Sequence, residues 1–215
     1  MTKKIGIIGS GVVAKTLGAG FIKHGYEVLL GTRDTSKLSE WQATEGQGAQ
    51  IGSFSDAAVF GDLVILAVAG LAAKSAIEQA GPDNLKGKTV IDAANPIAED
   101  PPVNGVLKFF TTLDESLLEQ LQSAFPGINF IKGFSCVGSA FMVNPTFESK
   151  PTMFICGDNV ASKSELKEIL DQFGWETADM GKVEAARAIE PLCMLWCIPG
   201  LSENKWTHAF KLMQL

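Results

Sequence analysis

The sequence predicts an α/β chain built on one doubly wound, mainly parallel sheet with a short C-terminal helical tail. Three observations carry that expectation. Short apolar runs alternate with amphipathic segments along most of the 215 residues. Several runs, above all Leu63 to Val68, are apolar without a break, as strands covered on both faces must be. The first run leads at once into Gly9-Ser10-Gly11 and a helical pattern. Strands alternating with helices require right-handed crossovers, which makes the sheet parallel.

The elements follow in order. Lys4 to Ile8 reads as a buried strand and Val12 to His24 as a helix that ends at Gly25. Tyr26 to Leu30 is a second strand, with a short helix from Ser36 capped by Asp34 or Thr35. Ala49 to Phe54 reads as a third strand, and Ser55 or Asp56 as the cap of the next helix. Leu63 to Val68, a helix over Leu71 to Ala80 and a strand over Thr89 to Asp92, closed by Asn95-Pro96, continue the alternation. A helix over Asp114 to Ala124 precedes strands at Asn129 to Gly133 and Thr152 to Cys156. A helix over Ala161 to Phe173 leads to a last strand over Glu176 to Asp179. From Lys182 an apolar helix runs toward Cys197, followed by a loop at Pro199-Gly200 and an amphipathic end. The chain is thus divided into 1–181, a dinucleotide-binding unit, and 182–215, a tail packed on it as one structural unit.

Composition excludes several classes. A net charge of −6 argues against a nucleic-acid partner held by phosphate contacts. The apolar stretch Leu63 to Ala73 is too short to span a bilayer, and glycines interrupt any signal-peptide core near the start. The expectation is a cytoplasmic chain with no membrane partner. Cys136, Cys156, Cys193 and Cys197 lack the spacing of a disulfide framework or zinc ribbon, and only His24 and His208 supply imidazoles. Buried reduced thiols and no metal are expected.

Gly9-x-Gly11-x-x-Ala14 after a strand and opening a helix is the context of a Rossmann-type dinucleotide fingerprint. Gly9 permits the tight turn, Gly11 lets backbone approach a pyrophosphate, and Ala14 keeps the helix close to the strand. The helix dipole and free N–H groups then hold the phosphates. At the end of the second strand an acid would bind the ribose of NAD and repel a 2′-phosphate. Here the position reads Gly31-Thr32-Arg33, with Lys37 one turn later. Arg33 can fork to phosphate oxygens and Thr32 can donate a hydroxyl, so the residues ask for NADP(H). The competing reading is a solvated Arg33 paired with Asp34.

These residues bring a family into view. "IGIIGSGVVAKTLG", "YEVLLGTRD", "VIDAANP", "IKGFSCVGS", "PTMFICGD" and "MGKVEAARAIEPLCMLW" together resemble the NADPH-dependent deazaflavin (coenzyme F-420) reductases. They also resemble the N-terminal oxidoreductase domain of the STEAP metalloreductases. The resemblance covers nearly the whole chain. It implies that Gly9, Ser10, Gly11, Val12, Val13, Thr32, Arg33 and Lys37 hold NADP. It further implies that Ala67, Val68, Ala69, Asn95, Pro96, Cys136, Val137, Gly138 and Ser139 wall the nicotinamide. The chain departs from the family pattern at Ala69-Gly70 in place of Pro-Trp, at Ser135-Cys136 in place of Asn-Thr, and at Val12 in place of Asn. Small residues at Ala69-Gly70 imply a wider acceptor pocket.

The implied activity is hydride transfer between NADP(H) and a small-molecule acceptor, a flavin or deazaflavin co-substrate. Such transfer needs stacked rings and demands no general acid or base. No catalytic side chain is therefore expected, and no Ser-His-Asp or Cys-His pattern is present. Two other readings stand beside it: an NADPH-sensing module that passes redox state to a partner, and an imine or hydroxy-acid reductase. The second needs a large helical domain, and few residues follow Gly181. The tail, "PLCMLWCIPGLSENKW", carries more apolar surface than it can cover alone, which predicts a homodimer.

Overall fold

The computed structural model describes residues 3–213, so the first two and last two residues, including the end of the predicted tail, lie outside the described residues. Strands β1 (Lys4–Ile8), β2 (Glu27–Gly31), β3 (Gln50–Gly52), β4 (Leu63–Leu66), β5 (Thr89–Asp92) and β6 (Asn129–Lys132) form one sheet. Their order is β3-β2-β1-β4-β5-β6 and every pair is parallel. Ile7 on β1 lies opposite both Leu30 and Ile65, so the central strands are buried on both faces. Strand order reverses between β1 and β4, and a cleft opens there beyond their carboxyl ends.

Helices cover both faces. One face packs Ile5, Ile7, Ile65 and Ile91 against α1 (Val12–Lys23) and α7 (Val160–Gln172). The other packs Ile8, Val64, Leu66 and Val90 against α3 (Phe54–Phe60), α4 (Ala73–Ala80) and α6 (Leu117–Ala124). Between these in the chain lie α2 (Ser39–Ala43) and the single turn α5 (Pro82–Leu85), and the last helix among the described residues is α8 (Ala186–Glu203). Capping boxes fix two of the starts: Ser53 with Asp56 on α3, and Ser116 with Glu119 on α6.

Four details differ from the sequence expectation. Strand β3 stops at Gly52, so Ser53 caps α3 and Phe54 is already helical; neither Ser55 nor Asp56 is the cap. The expected 114–124 helix begins only at Leu117, because Ser116 takes the cap. Strands β7 (Thr152–Ile155) and β8 (Glu176–Asp179) form a separate parallel pair, joined to the main sheet by a single antiparallel bridge between Lys132 and Cys156. Helix α8 passes through Pro199 to Glu203, where a loop was expected at Pro199-Gly200. A proline forfeits only one helical bond, and Gly200 leaves room for the Trp206 ring; a Cβ there would lie 2.2 Å from it. Asn204, left-handed at φ 54°, then turns the chain back.

The segment after α8 runs extended along β7. Thr152 N–H donates to Phe210 O at 2.9 Å and Leu212 N–H to Thr152 Oγ1 at 3.1 Å, which covers an otherwise open strand edge. Trp196 Nε1 donates to His208 O at 2.8 Å, and the two rings stack at 4.9 Å. His208 is thereby part of the tail's own packing. No helix among the described residues is long and apolar enough to cross a membrane.

Candidate functional site

The cleft begins at the turn after β1. Gly9 sits at φ +143°, and a Cβ there would lie 2.2 Å from Ala67 O, so only glycine brings β1 and β4 this close. At Gly11, the N-cap of α1, a Cβ would meet no protein atom within 4 Å. Its smallness leaves open space, not packing. The first turn of α1 has no acidic residue and Gly11 has no side chain to cap it, so its N–H groups face that space. Ala14 is fully buried beneath it, Val13 packs into the core edge, and Val12 is exposed. These are the features a pyrophosphate cradle requires.

The end of β2 is locked to this turn. Buried Thr32 places Oγ1 3.1 Å from Ser10 Oγ and accepts Asp34 N–H at 3.2 Å. Asp34 accepts from Ser36 N–H at 3.0 Å and Ser36 Oγ–H at 2.6 Å. Those bonds, with Lys37 nearby, hold its carboxyl below the usual carboxylate range. Arg33 and Lys37 are exposed, and neither has a carboxylate within ion-pair distance among the described residues. Both line a cleft of about 240 Å³ together with Gly9, Ser10, Gly11, Thr32 and Ala67 to Ala69. The Arg33–Asp34 pairing that competed with phosphate binding is absent.

At the other end the picture is mixed. Asn95 Nδ2 donates to Ser135 O at 2.8 Å, while Asn95 Oδ1 and Ser135 Oγ are buried without a partner. Pro96 is buried beside them. Cys136 and Val137 point into the core, 2% and 7% exposed, and burial pushes the Cys136 thiol up to about 11. Neither side chain faces the cleft. Gly138 lies against Trp196, and Ser139, half-buried, opens a short turn. Gly70 corrects the wide-pocket expectation: a Cβ there would lie 2.1 Å from Asn95 O. That glycine brings two loops into contact and opens no space; only Ala69 remains exposed at the mouth.

Two groups of residues escaped the sequence reading. Phe54, Ala72, Ser75, Ala76 and Gln79 close the cleft on the side of α3 and α4. The i, i+4 pair Ser75 and Gln79, polar on an otherwise alanine-rich helix, was the available signal. The second group is a buried ionic triad. Lys132 Nζ lies 2.5 Å from Asp92 Oδ2 and 2.8 Å from Glu190 Oε1, and all three side chains are at most 2% exposed. Burial disfavours the charge on Lys132, but the two carboxylates outweigh it and raise its pKa above the ordinary lysine value. Burial also pushes the Asp92 carboxyl upward, against the pull of Lys132. No group of three or more His, Cys, Asp or Glu among the described residues is arranged to hold a metal.

Residues 4–96 match the family model described as NADP oxidoreductase coenzyme F420-dependent. That stretch, less than half of the chain, is similar to this oxidoreductase family. Rat metalloreductase STEAP3 (Rattus norvegicus) is 26% identical over 202 residues, 92% of this chain and 38% of that protein. Human metalloreductase STEAP2 (Homo sapiens) is 28% identical over 87% of this chain and 35% of its own length. The chain therefore spans little more than a third of these curated relatives. A crystal structure of a candidate F420-dependent NADP-reductase from Arthrobacter sp. FB24 superposes with a TM-score of 0.91. It is 27% identical, with all of both chains covered. The family match covers residues 4–96, and the fold shared with the Arthrobacter protein covers the whole chain.

Proposed function

We propose that the protein is an NADPH-dependent reductase that transfers a hydride between NADP(H) and a flat ring acceptor, a flavin or a deazaflavin. One observation carries the cofactor half of the reading. The open space over Gly11 and the uncapped start of α1 lie in the same cleft as Arg33 and Lys37, two cations without carboxylate partners among the described residues. The N–H groups of Val12 and Val13 would take the pyrophosphate. Arg33 would fork to the 2′-phosphate, Lys37 would add charge, and Thr32 would orient Ser10 beneath them. Bound NADPH supplies the hydride. The chain's part is to hold the reacting ring against Ala69 and the Asn95 turn and to exclude water. The acceptor class is supported by the family description and by the fold shared with the Arthrobacter protein.

Arg33→Ala should weaken NADPH binding by roughly tenfold to a hundredfold, the worth of a charge-assisted hydrogen bond, and leave NADH nearly unchanged. Equal loss for both would make Arg33 structural. Anaerobic single-turnover oxidation of NADPH with FMN, FAD, riboflavin and a deazaflavin tests the acceptor. No transfer to any ring would favour the sensor reading.

We also propose a two-fold homodimer through the tail, where Leu195, Leu201, Trp206 and Met213 are exposed. Light scattering that gave a monomer at micromolar concentration would refute it.

A further inference from the structure

We propose that the buried triad Lys132–Asp92–Glu190 positions the Asn95 turn for the nicotinamide half of the cofactor, and that it ties the C-terminal helix to that turn. Lys132 is a positioning residue, not a catalytic one, since it is fully buried and no proton on it is free. Its ammonium has three donors, and all three are used: Asp92 Oδ2, Glu190 Oε1 and Ala94 O at 3.0 Å. Asp92 Oδ1 accepts Ala94 N–H at 2.9 Å. Both main-chain groups of Ala94, the residue before Asn95, are therefore held by the triad.

The same clamp reaches the neighbouring loop. Gly133 N–H donates to Asp92 O at 3.1 Å, and the Asn95 amide donates to Ser135 O at 2.8 Å. Between them Phe134 is held at φ +61°, a conformation a bulky residue adopts only when its surroundings impose it. Glu190 adds the long-range connection. Its oxygens accept the N–H groups of Leu117 and Leu118 at 3.0 and 3.1 Å, so it also occupies the start of α6. The helix end offsets the extra negative charge of a set with two carboxylates and one ammonium.

Stability alone does not account for such a site. Buried ion sets are often no better for stability than well-packed neutral residues of the same size, because desolvation cancels much of the attraction. A gain in positional definition, fixing one turn in one place, is what remains. The cations of the other end, Arg33 and Lys37, make no contact with it. A defect in the triad should therefore be felt by the nicotinamide half of NADPH and not by its adenosine 2′,5′-bisphosphate half.

This inference rests on the NADPH reading above, and the test separates the two. The variant Asp92→Asn/Lys132→Met/Glu190→Gln removes the charges together, so no ion is left unpaired. Calorimetric titration of the parent and the variant with NADPH and with adenosine 2′,5′-bisphosphate is the main readout, alongside NADPH oxidation by riboflavin. The variant should keep the bisphosphate affinity within about twofold, while NADPH affinity and the oxidation rate each fall about tenfold. Unchanged NADPH affinity, or equal loss for both ligands, would overturn the positioning role. A parent protein that binds neither ligand would overturn the cofactor reading instead. Should the triple variant not fold, amide exchange of the unaltered protein decides. An Ala94 N–H protected like the core strands supports the clamp, and one that exchanges at the rate of an open loop overturns it.

Discussion

The two ends of the cleft are built on opposite principles. At the glycine turn, charge and backbone donors are left exposed and without partners among the described residues: Arg33, Lys37 and the first N–H groups of α1. At the carboxyl ends of β5 and β6, charge is buried and every donor of Lys132 is satisfied within the protein. The first end is poised to bind and has little to do with holding the fold. The second holds loops in place and offers no charge to a ligand. An unsatisfied exposed group invites a partner, whereas a satisfied buried one fixes geometry.

The sharpest way to break this contrast is to remove the cation of the triad alone. Lys132→Met leaves two carboxylates facing each other in a dry site, and breaking a buried pair in this way costs about 3–5 kcal/mol. Denaturant unfolding at neutral pH should show that loss, in contrast to the charge-free triple variant. The sign with pH follows. Burial already raises the Asp92 carboxyl against the pull of Lys132, and without that cation its protonation favours the native state. The deficit should shrink as pH falls and grow as pH rises through the folded value of Asp92. A deficit independent of pH would mean that lost packing, not unpaired charge, is responsible.

The glycine pair sharpens the same comparison on the exposed side. Gly9→Ala puts a Cβ 2.2 Å from Ala67 O at a backbone angle that L residues avoid, so it should cost stability by about 1–3 kcal/mol and disturb the cleft with it. Gly11→Ala meets no protein atom and has an ordinary φ of −77°. It should leave stability equal or raise it by about 0.4–1 kcal/mol, through the unfolded chain, while weakening NADPH binding at least tenfold. Thermal unfolding with and without NADPH separates the two. A Gly11→Ala protein that binds NADPH like the parent would show that the open space over Gly11 is not the phosphate site.

What was legible in the sequence follows the same division. The glycine turn and the Thr32–Lys37 segment are local patterns, read within a few residues of a strand end. Strands such as Leu63–Leu66 and Thr89–Asp92 fall where apolar runs place them. The triad was not legible, because Asp92 and Lys132 are 40 positions apart and Glu190 reaches α6 across 73. Each, read alone, passes for an ordinary surface charge, and only the tertiary fold makes them neighbours. Cys136 was misplaced for a related reason: a residue just past a strand end faces either the cleft or the core, and Cys136 lies in the core, two residues after the left-handed Phe134. Gly70 misled because small size serves close backbone contact as readily as open space.

The smallest expected effect comes from a second tie between α8 and α6, one turn before Glu190. Arg187 Nε lies 3.0 Å from both carboxylate oxygens of Glu119, and Nη2 lies 2.5 Å from Oε1, but the arginine is largely in water. It joins the same two helices as Glu190 does, with a cation in place of the carboxylate, in a solvated setting. Partial burial works to raise the Glu119 pKa, yet the bonds from Arg187 and Ser116 prevail and hold it below the usual range. Its contribution to stability is therefore present above the unfolded carboxylate value, about 4.3, and lost as pH falls through the folded one. Arg187→Gln should lose a little stability at neutral pH, far less than Lys132→Met, and the difference from the parent should vanish in acid and diminish in high salt. Denaturant unfolding at neutral and acid pH, with and without salt, reads both dependences. A difference that survived acid and salt would mean that the arginine stem, packed along the helix, supplies the tie and that its charge does not.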